Sequence, residues 1–149
     1  MEKLEVLQKS PLFEMLSQPE LELLAELSRP RRYSAGEVVF EEGDLGDSLY
    51  VLMNGEVEVV HKGSKGELRA LATLRPPEFF GEMSLIDKEF RSATVRAKSD
   101  STMLHLTAEN LATFRKNHKD GFAFLVINIA RVLSTRLRET NARLGGQPS

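Results

Sequence analysis

The chain has 149 residues, enough for a single domain with a real core, because chains of this size hide roughly 68 to 70% of their unfolded surface. Its 20 basic and 22 acidic residues are interspersed and net to -2, which gives no general polyanion-binding surface and argues against nucleic acid as a direct partner. Cysteine is absent, so disulfides, thiolate metal sites and thiol nucleophiles are excluded together, consistent with a reducing compartment.

The start, Met1-Glu2-Lys3-Leu4-Glu5-Val6, lacks the apolar stretch of a signal peptide, and no run approaches the ~18 apolar residues of a membrane span. A cytoplasmic protein without a membrane span is expected. Ser17 and Glu20 stand at capping-box spacing with Pro19 in the first turn, which predicts a helix whose buried side carries Leu21, Leu23, Leu24 and Leu27. From Tyr33 the pattern becomes short apolar segments punctuated by glycine at 36, 43, 46, 55, 63 and 66, the mark of consecutive strands and tight turns. Ser48 to Met53 and Glu56 to Val60 flank Asn54-Gly55, a dipeptide suited to the type I′ turn of a hairpin. Glu67 to Leu74 alternates again, and Ala93 to Ala97 and Thr102 to Leu106 read as two further strands around the turn 98–101.

After Thr107 the period lengthens. A short helix is expected from about Ala108 to Lys116 and a long one from about Gly121 to Leu144, with Leu125, Ile129, Leu133 and Leu137 near one side. Strands with no crossover helices between them imply an α+β fold: an antiparallel β-roll, jelly-roll-like, flanked by an N-terminal helix and C-terminal helices. The expected organisation is one domain over 1–149, with a core of about 12–138 and no DNA-binding domain, since only Gly145 to Ser149 follow Leu144.

The segment Phe79-Phe80-Gly81-Glu82-Met83-Ser84-Leu85-Ile86-Asp87-Lys88-Glu89-Phe90-Arg91-Ser92-Ala93-Thr94 carries the chemistry. An ionised carboxylate only accepts hydrogen bonds and suits a sugar hydroxyl, whereas arginine presents a planar fork of donors matched to phosphate oxygens. Glu82-Met83-Ser84-Leu85-Ile86 is compatible with one helical turn, whose free N–H groups would favour an anion, and Gly81 permits a close approach of the backbone.

Together with Ala35-Gly36-Glu37, Glu42-Gly43-Asp44, Gly46-Asp47-Ser48-Leu49-Tyr50 and Gly55-Glu56-Val57, in this order, the segment resembles the cyclic nucleotide-binding domain family over about Leu12 to Arg138. That family includes catabolite activator proteins, kinase regulatory subunits and nucleotide-gated channels. The resemblance implies a phosphate-binding cassette, in which Glu82 accepts a hydrogen bond from the ribose 2′-hydroxyl and Arg91 pairs with the cyclic phosphate. Ser92 and Ala93 would supply further donors, Val59, Leu71 and Phe80 would form the apolar wall, and Arg136 of the last helix would cover the base. Ser92 stands where cyclic-GMP-selective domains often place threonine, which points to cAMP, with cGMP as the alternative. Two positions depart from the family pattern: Pro77 replaces a common glycine, and Phe90 replaces the proline that usually precedes the arginine.

The expected function is a sensor that passes occupancy through its last helix, to a second copy of itself in a homodimer or to a separate effector protein. A domain that keeps the fold as an interaction module without nucleotide is the alternative. An enzyme with a metal in the barrel would need clustered ligands, whereas His61, His105 and His118 are scattered. No enzymatic activity, cofactor or metal is therefore expected.

Overall fold

Ser17 caps the second helix as its spacing demands: its hydroxyl accepts from the Glu20 N–H at 3.4 Å while the Glu20 carboxylate accepts from the Ser17 N–H at 2.8 Å. The computed structural model describes residues 2–83 and 90–145. In chain order these form α1 (Lys3–Lys9), a 3-10 turn (Pro11–Phe13), α2 (Gln18–Leu27), β1 (Arg29–Tyr33), β2 (Val38–Phe40), β3 (Ser48–Asn54), β4 (Val57–Lys62), β5 (Leu68–Leu74), β6 (Phe79–Phe80), β7 (Thr94–Ala97), β8 (Ser101–Thr107), α3 (Ala108–Asn117) and α4 (Lys119–Gly145). Leu21 and Leu24 of α2 are buried, and Leu23 and Leu27 pack partly against the same core.

The strands form two antiparallel four-stranded sheets, ordered β1-β8-β3-β6 and β2-β7-β4-β5. This is the expected β-roll with helices at both ends. The expected hairpin across Asn54-Gly55 is corrected, however, because β3 and β4 belong to different sheets: β3 pairs with β8 and β6, and β4 with β5 and β7. Every residue of β3 from Ser48 to Met53 is buried. A strand covered on both faces must lie between two packed layers, so its continuation turns a corner into the second sheet. Gly55 makes that corner with φ 85°, and a Cβ there would meet the Ser101 hydroxyl oxygen at 2.3 Å and the Asp100 carbonyl oxygen at 2.5 Å. Glycine is required on both counts.

Alternate residues of β3 serve two cores. Leu49, Val51 and Met53 face the helices, where they join Leu24, Leu104, Leu106, Phe114, Leu125 and Ile129. Tyr50 and Leu52 face the second sheet, with Val57, Phe80, Val95 and Met103. Helix α3 opens on a reciprocal Thr107–Asn110 cap, both bonds 3.0 Å. On α4, Leu125 and Ile129 are buried and Leu133 partly so, but Leu137 is 62% exposed, so the expected stripe contacts the core only over the first half of the helix. Asn128, buried in α4, donates to the carbonyls of Leu12 (2.9 Å) and Glu14 (2.8 Å), which ties the helix to the N-terminal turn. Among the described residues, no helix is long and apolar enough to cross a membrane.

Candidate functional site

The second sheet is not fully packed against the first. Between them lies a chamber of about 390 Å³ with an apolar wall of Phe40, Val59, Ala72, Leu74, Phe80 and Val95, edged by Gly81, Glu82, Arg91, Ser92, Ala93 and Arg136. Glu82 and Arg91, separated by nine positions in the chain, thus edge one cavity.

Arg91 is positioned by its backbone first: its N–H donates to the Asp44 carbonyl at 2.6 Å and its carbonyl accepts from the Gly43 N–H at 2.9 Å. Its guanidinium then donates to the Ser48 carbonyl (2.8 Å) and the Gly81 carbonyl (3.3 Å) and lies 4.1 Å from the centre of the Phe40 ring. Beneath it Phe40, Tyr50 and Phe80 form an aromatic floor, with Tyr50 stacked on Phe80 at 5.0 Å. Burial pushes the Arg91 guanidinium below its ordinary value, opposed by Tyr50, Asp47, Asp44 and Glu82. Arginine titrates so high that the group remains a cation at neutral pH. Gly81 has φ 78°, and a Cβ there would stand 2.9 Å from Arg91 Nη1 and 3.0 Å from the Ser48 carbonyl oxygen. The close approach that glycine permits here is that of Arg91 and β3.

Glu82 is only 6% exposed. Its Oε1 accepts from Arg136 Nη1 at 3.2 Å, and the same guanidinium sits 5.5 Å from the Phe79 ring centre. Arg136, expected over a base, therefore contacts the carboxylate. Met83 is exposed and lines the chamber, as do Ser92 and Ala93. Ser84 lies outside the described residues.

Leu71 is corrected. It is 53% exposed and lines a neighbouring groove between β5 and α4 instead of the chamber. Strand alternation places Leu71 on the face opposite Ala72 and Leu74, and it is also the extra residue of a register shift, Val59 pairing with Ala72 and Val60 with Ala70. Ala72 and Leu74 take the wall positions in its place. Sequence reasoning also missed Phe40, Leu74 and the Ser48 carbonyl. Leu74 lies two positions beyond Ala72, on the same face of the expected alternation, and could have been found by choosing that face for the wall, whereas a carbonyl acceptor on β3 leaves no side-chain signal. Of the two departures, Phe90 stands 71% exposed at the mouth of the chamber, bridged to Leu45. Pro77 follows Pro76 through a cis peptide bond in the turn leading to β6. Among the described residues no group of three histidine or acidic side chains is placed to hold a metal ion.

A two-sheet roll with an apolar chamber, closed at one rim by a glycine-glutamate turn and an arginine, defines a class, and the comparisons agree with it. Residues 30–118 match the family described as cyclic nucleotide-binding domain, and the chain belongs to that family. It is 38% identical over 136 residues to the cyclic AMP receptor protein of Thermus thermophilus, covering 91% of this chain and 61% of the relative. It is 34% identical over 111 residues to the cAMP-dependent protein kinase regulatory subunit of Schizosaccharomyces pombe, covering 74% of this chain and 25% of that one. Among solved structures, a cyclic nucleotide-binding domain from Methylobacillus flagellatus superimposes with a TM-score of 0.84 at 27% identity, covering 99% of this chain and 84% of the other. The chain thus spans about three-fifths of the length of the receptor protein and a quarter of the kinase subunit.

Proposed function

We propose that this chain is a sensor that binds a cyclic nucleotide, cAMP in preference to cGMP, in the chamber and passes its occupancy on through α4. The observation that carries the reading is the pair of charges at one rim: a buried carboxylate at 82 and a half-buried guanidinium at 91 edge the same apolar cavity. In this reading Arg91 pairs with the cyclic phosphate, joined by donors from Ser92 and Ala93, and Glu82 accepts the ribose 2′-hydroxyl. Val59, Leu74 and Phe80 provide the apolar surface for sugar and base.

Calorimetric titration with both nucleotides tests it. Micromolar cAMP binding, weaker cGMP binding, and a loss of about 100-fold or more in Arg91→Ala are expected, since a charge-assisted fork is worth about 1.5–3 kcal/mol and its removal leaves buried acceptors unpaired. Silence with both nucleotides supports the alternative, an interaction module that has lost its ligand. That alternative draws on the protein partners Arg91 and Glu82 already have.

The output surface proposed is α4 itself. Ala123, Ile127, Ala130, Ser134 and Leu137 are all exposed and alternate at spacings of four and three, the seam along which two helices pair. A second copy of the chain is the partner that fits such a seam. Sedimentation should give a dimer mass for the native chain and a monomer mass for Ile127→Glu. A native monomer would remove the homodimer and leave a separate effector.

A further inference from the structure

The edges of the two sheets are not equally protected. Strand β6 has two residues, β2 has three with a register shift, and β1 carries Pro30 between Arg29 and Arg31, all features that discourage a further strand from pairing. Strand β5 lacks them over most of its length: it runs for seven residues with Arg69 as its one charge, and among the described residues it pairs only with β4. Alternate N–H and C=O groups along its outer edge are thus left without a strand partner.

That edge faces a groove. Leu71, Ala72, Thr73 and Leu74 all line a cavity of about 630 Å³ whose other side is α4. Consecutive strand residues point to opposite faces, so four in a row border one cavity when it runs along the edge of the strand. We propose that this groove is a docking site for an extended peptide of alternating apolar and basic side chains, added to β5 as a further strand.

The walls select that occupant. Leu71 is 53% exposed, and with Phe79 and Val132 in the same groove it offers an apolar surface to every second side chain of a bound strand. Three carboxylates, Glu14, Glu78 and Glu139, also line it, and of its two guanidiniums Arg136 is taken by Glu82, which leaves Arg131. The excess of negative charge favours lysine or arginine at the remaining peptide positions. Glu14 marks one end, where its carbonyl accepts from Asn128 at 2.8 Å. Glu139 lies eleven residues beyond Asn128 on α4, about 16 Å along the axis and the reach of about five extended residues.

Asn128 adds a polar group of the right kind. It lines the groove, its amide nitrogen is committed to the carbonyls of Leu12 and Glu14, and its buried Oδ1 accepts no hydrogen bond. A strand laid on β5 turns its second row of N–H groups toward α4, the side on which that acceptor stands. This face of α4 shares no residue with the seam of Ala123, Ile127, Ala130, Ser134 and Leu137, so peptide docking and self-association use separate surfaces. Docking is also independent of what the chamber binds.

The test is a selection of random nonapeptides displayed on phage against the native chain, followed by calorimetric titration of the best synthetic peptide. Enriched sequences should alternate apolar residues with lysine or arginine. Leu71→Lys should weaken that peptide about 10-fold or more through the lost apolar contact and the charge placed on the edge, and Glu139→Lys about 2-fold to 5-fold. Both side chains are exposed, so the melting profiles should be unchanged, and Ile127→Glu should bind the peptide as the native chain does. N-methylation of one alternate set of peptide amides should abolish binding, and hydrogen exchange in the complex should show new protection over 71–74. No enrichment, acidic or non-alternating sequences, a peptide that binds Leu71→Lys as well as native, tolerance of N-methylation in both sets, or protection on β1 instead of β5 would each overturn the proposal. Protection of 71–74 in the chain alone that rises with its concentration would assign the edge to a second copy and overturn it too. A chain that ignores both nucleotides yet takes the peptide in this manner supports the docking site and removes only the sensor reading.

Discussion

The two sheets differ in how completely they are covered. The sheet built on β3 and β8 is sandwiched: Leu49, Val51, Leu104 and Leu106 face the helices while Tyr50, Leu52 and Met103 face the other sheet. The sheet built on β4 and β7 contributes Val57, Val60, Leu74 and Val95 to the interior, and its Val59, Ala72, Leu74 and Val95 border the chamber. One sheet is covered on both faces and the other borders the chamber. Under the proposed function, stability and recognition are separated within one small fold, and substitutions should sort by the side they fall on.

The largest stability effect is expected on the helical side. Phe114 is fully buried among the helices, and Phe114→Ala should cost about 3–5 kcal/mol in urea denaturation while the fraction that remains folded binds nucleotide with native affinity. Arg91→Ala should behave in the opposite way, weakening binding by about 100-fold or more at a cost of about 1 kcal/mol in stability for its lost carbonyl contacts. If Phe114→Ala damaged affinity at full folding, or Arg91→Ala unfolded the chain, the division would fail.

Gly81→Ala lies on the boundary and should affect both properties. A side chain at φ 78° is strained by about 1–2 kcal/mol, and its Cβ would stand 2.9 Å from Arg91 Nη1, so affinity should drop along with the melting temperature. Native affinity in this variant would show that Arg91 can retreat without consequence.

The smallest effect is a pH dependence. His105 lies on β8 beside Tyr50, with ring centres 5.0 Å apart, and burial, with Arg31 and Arg91 adding to it and Asp47 opposing, holds its imidazole below the usual histidine range. The unfolded chain therefore takes up the proton first as pH falls. Stability from this group is complete above about pH 6.5 and declines as pH falls through the lowered folded value. Melting temperatures between pH 7.5 and 5 should fall less steeply in His105→Asn than in the native chain. An unchanged slope would remove His105 as a contributor.

What could be read from the chain divides along a similar line. Local chemistry was legible: the Ser17 cap and the helix after Thr107 each depend on neighbours a few residues away, and the carboxylate at 82 and guanidinium at 91 are legible as residue types though not in their distant contacts. Partner choice was not. Asn54-Gly55 does carry a positive φ, but at a corner between sheets, because the turn residue records backbone geometry and not which strand will lie opposite. Strand β1, Arg-Pro-Arg-Arg-Tyr, has no apolar alternation to detect, since it is an exposed edge strand paired only with β8. Leu71 fails for a third reason: alternation sets it opposite Ala72 and Leu74, and residue type alone does not say which of the two faces of β5 meets the chamber. The partner of Arg136 could not be foreseen either, because Glu82 lies 54 positions away and meets it only when α4 folds back over the chamber.

The most direct test of the central claim is a crystal structure of the chain with cAMP. The account requires phosphate oxygens within about 3 Å of the Arg91 guanidinium and the ribose 2′-hydroxyl within about 3 Å of a Glu82 oxygen. Nucleotide bound elsewhere with the chamber unchanged, or in the chamber with its phosphate turned away from Arg91, would contradict it.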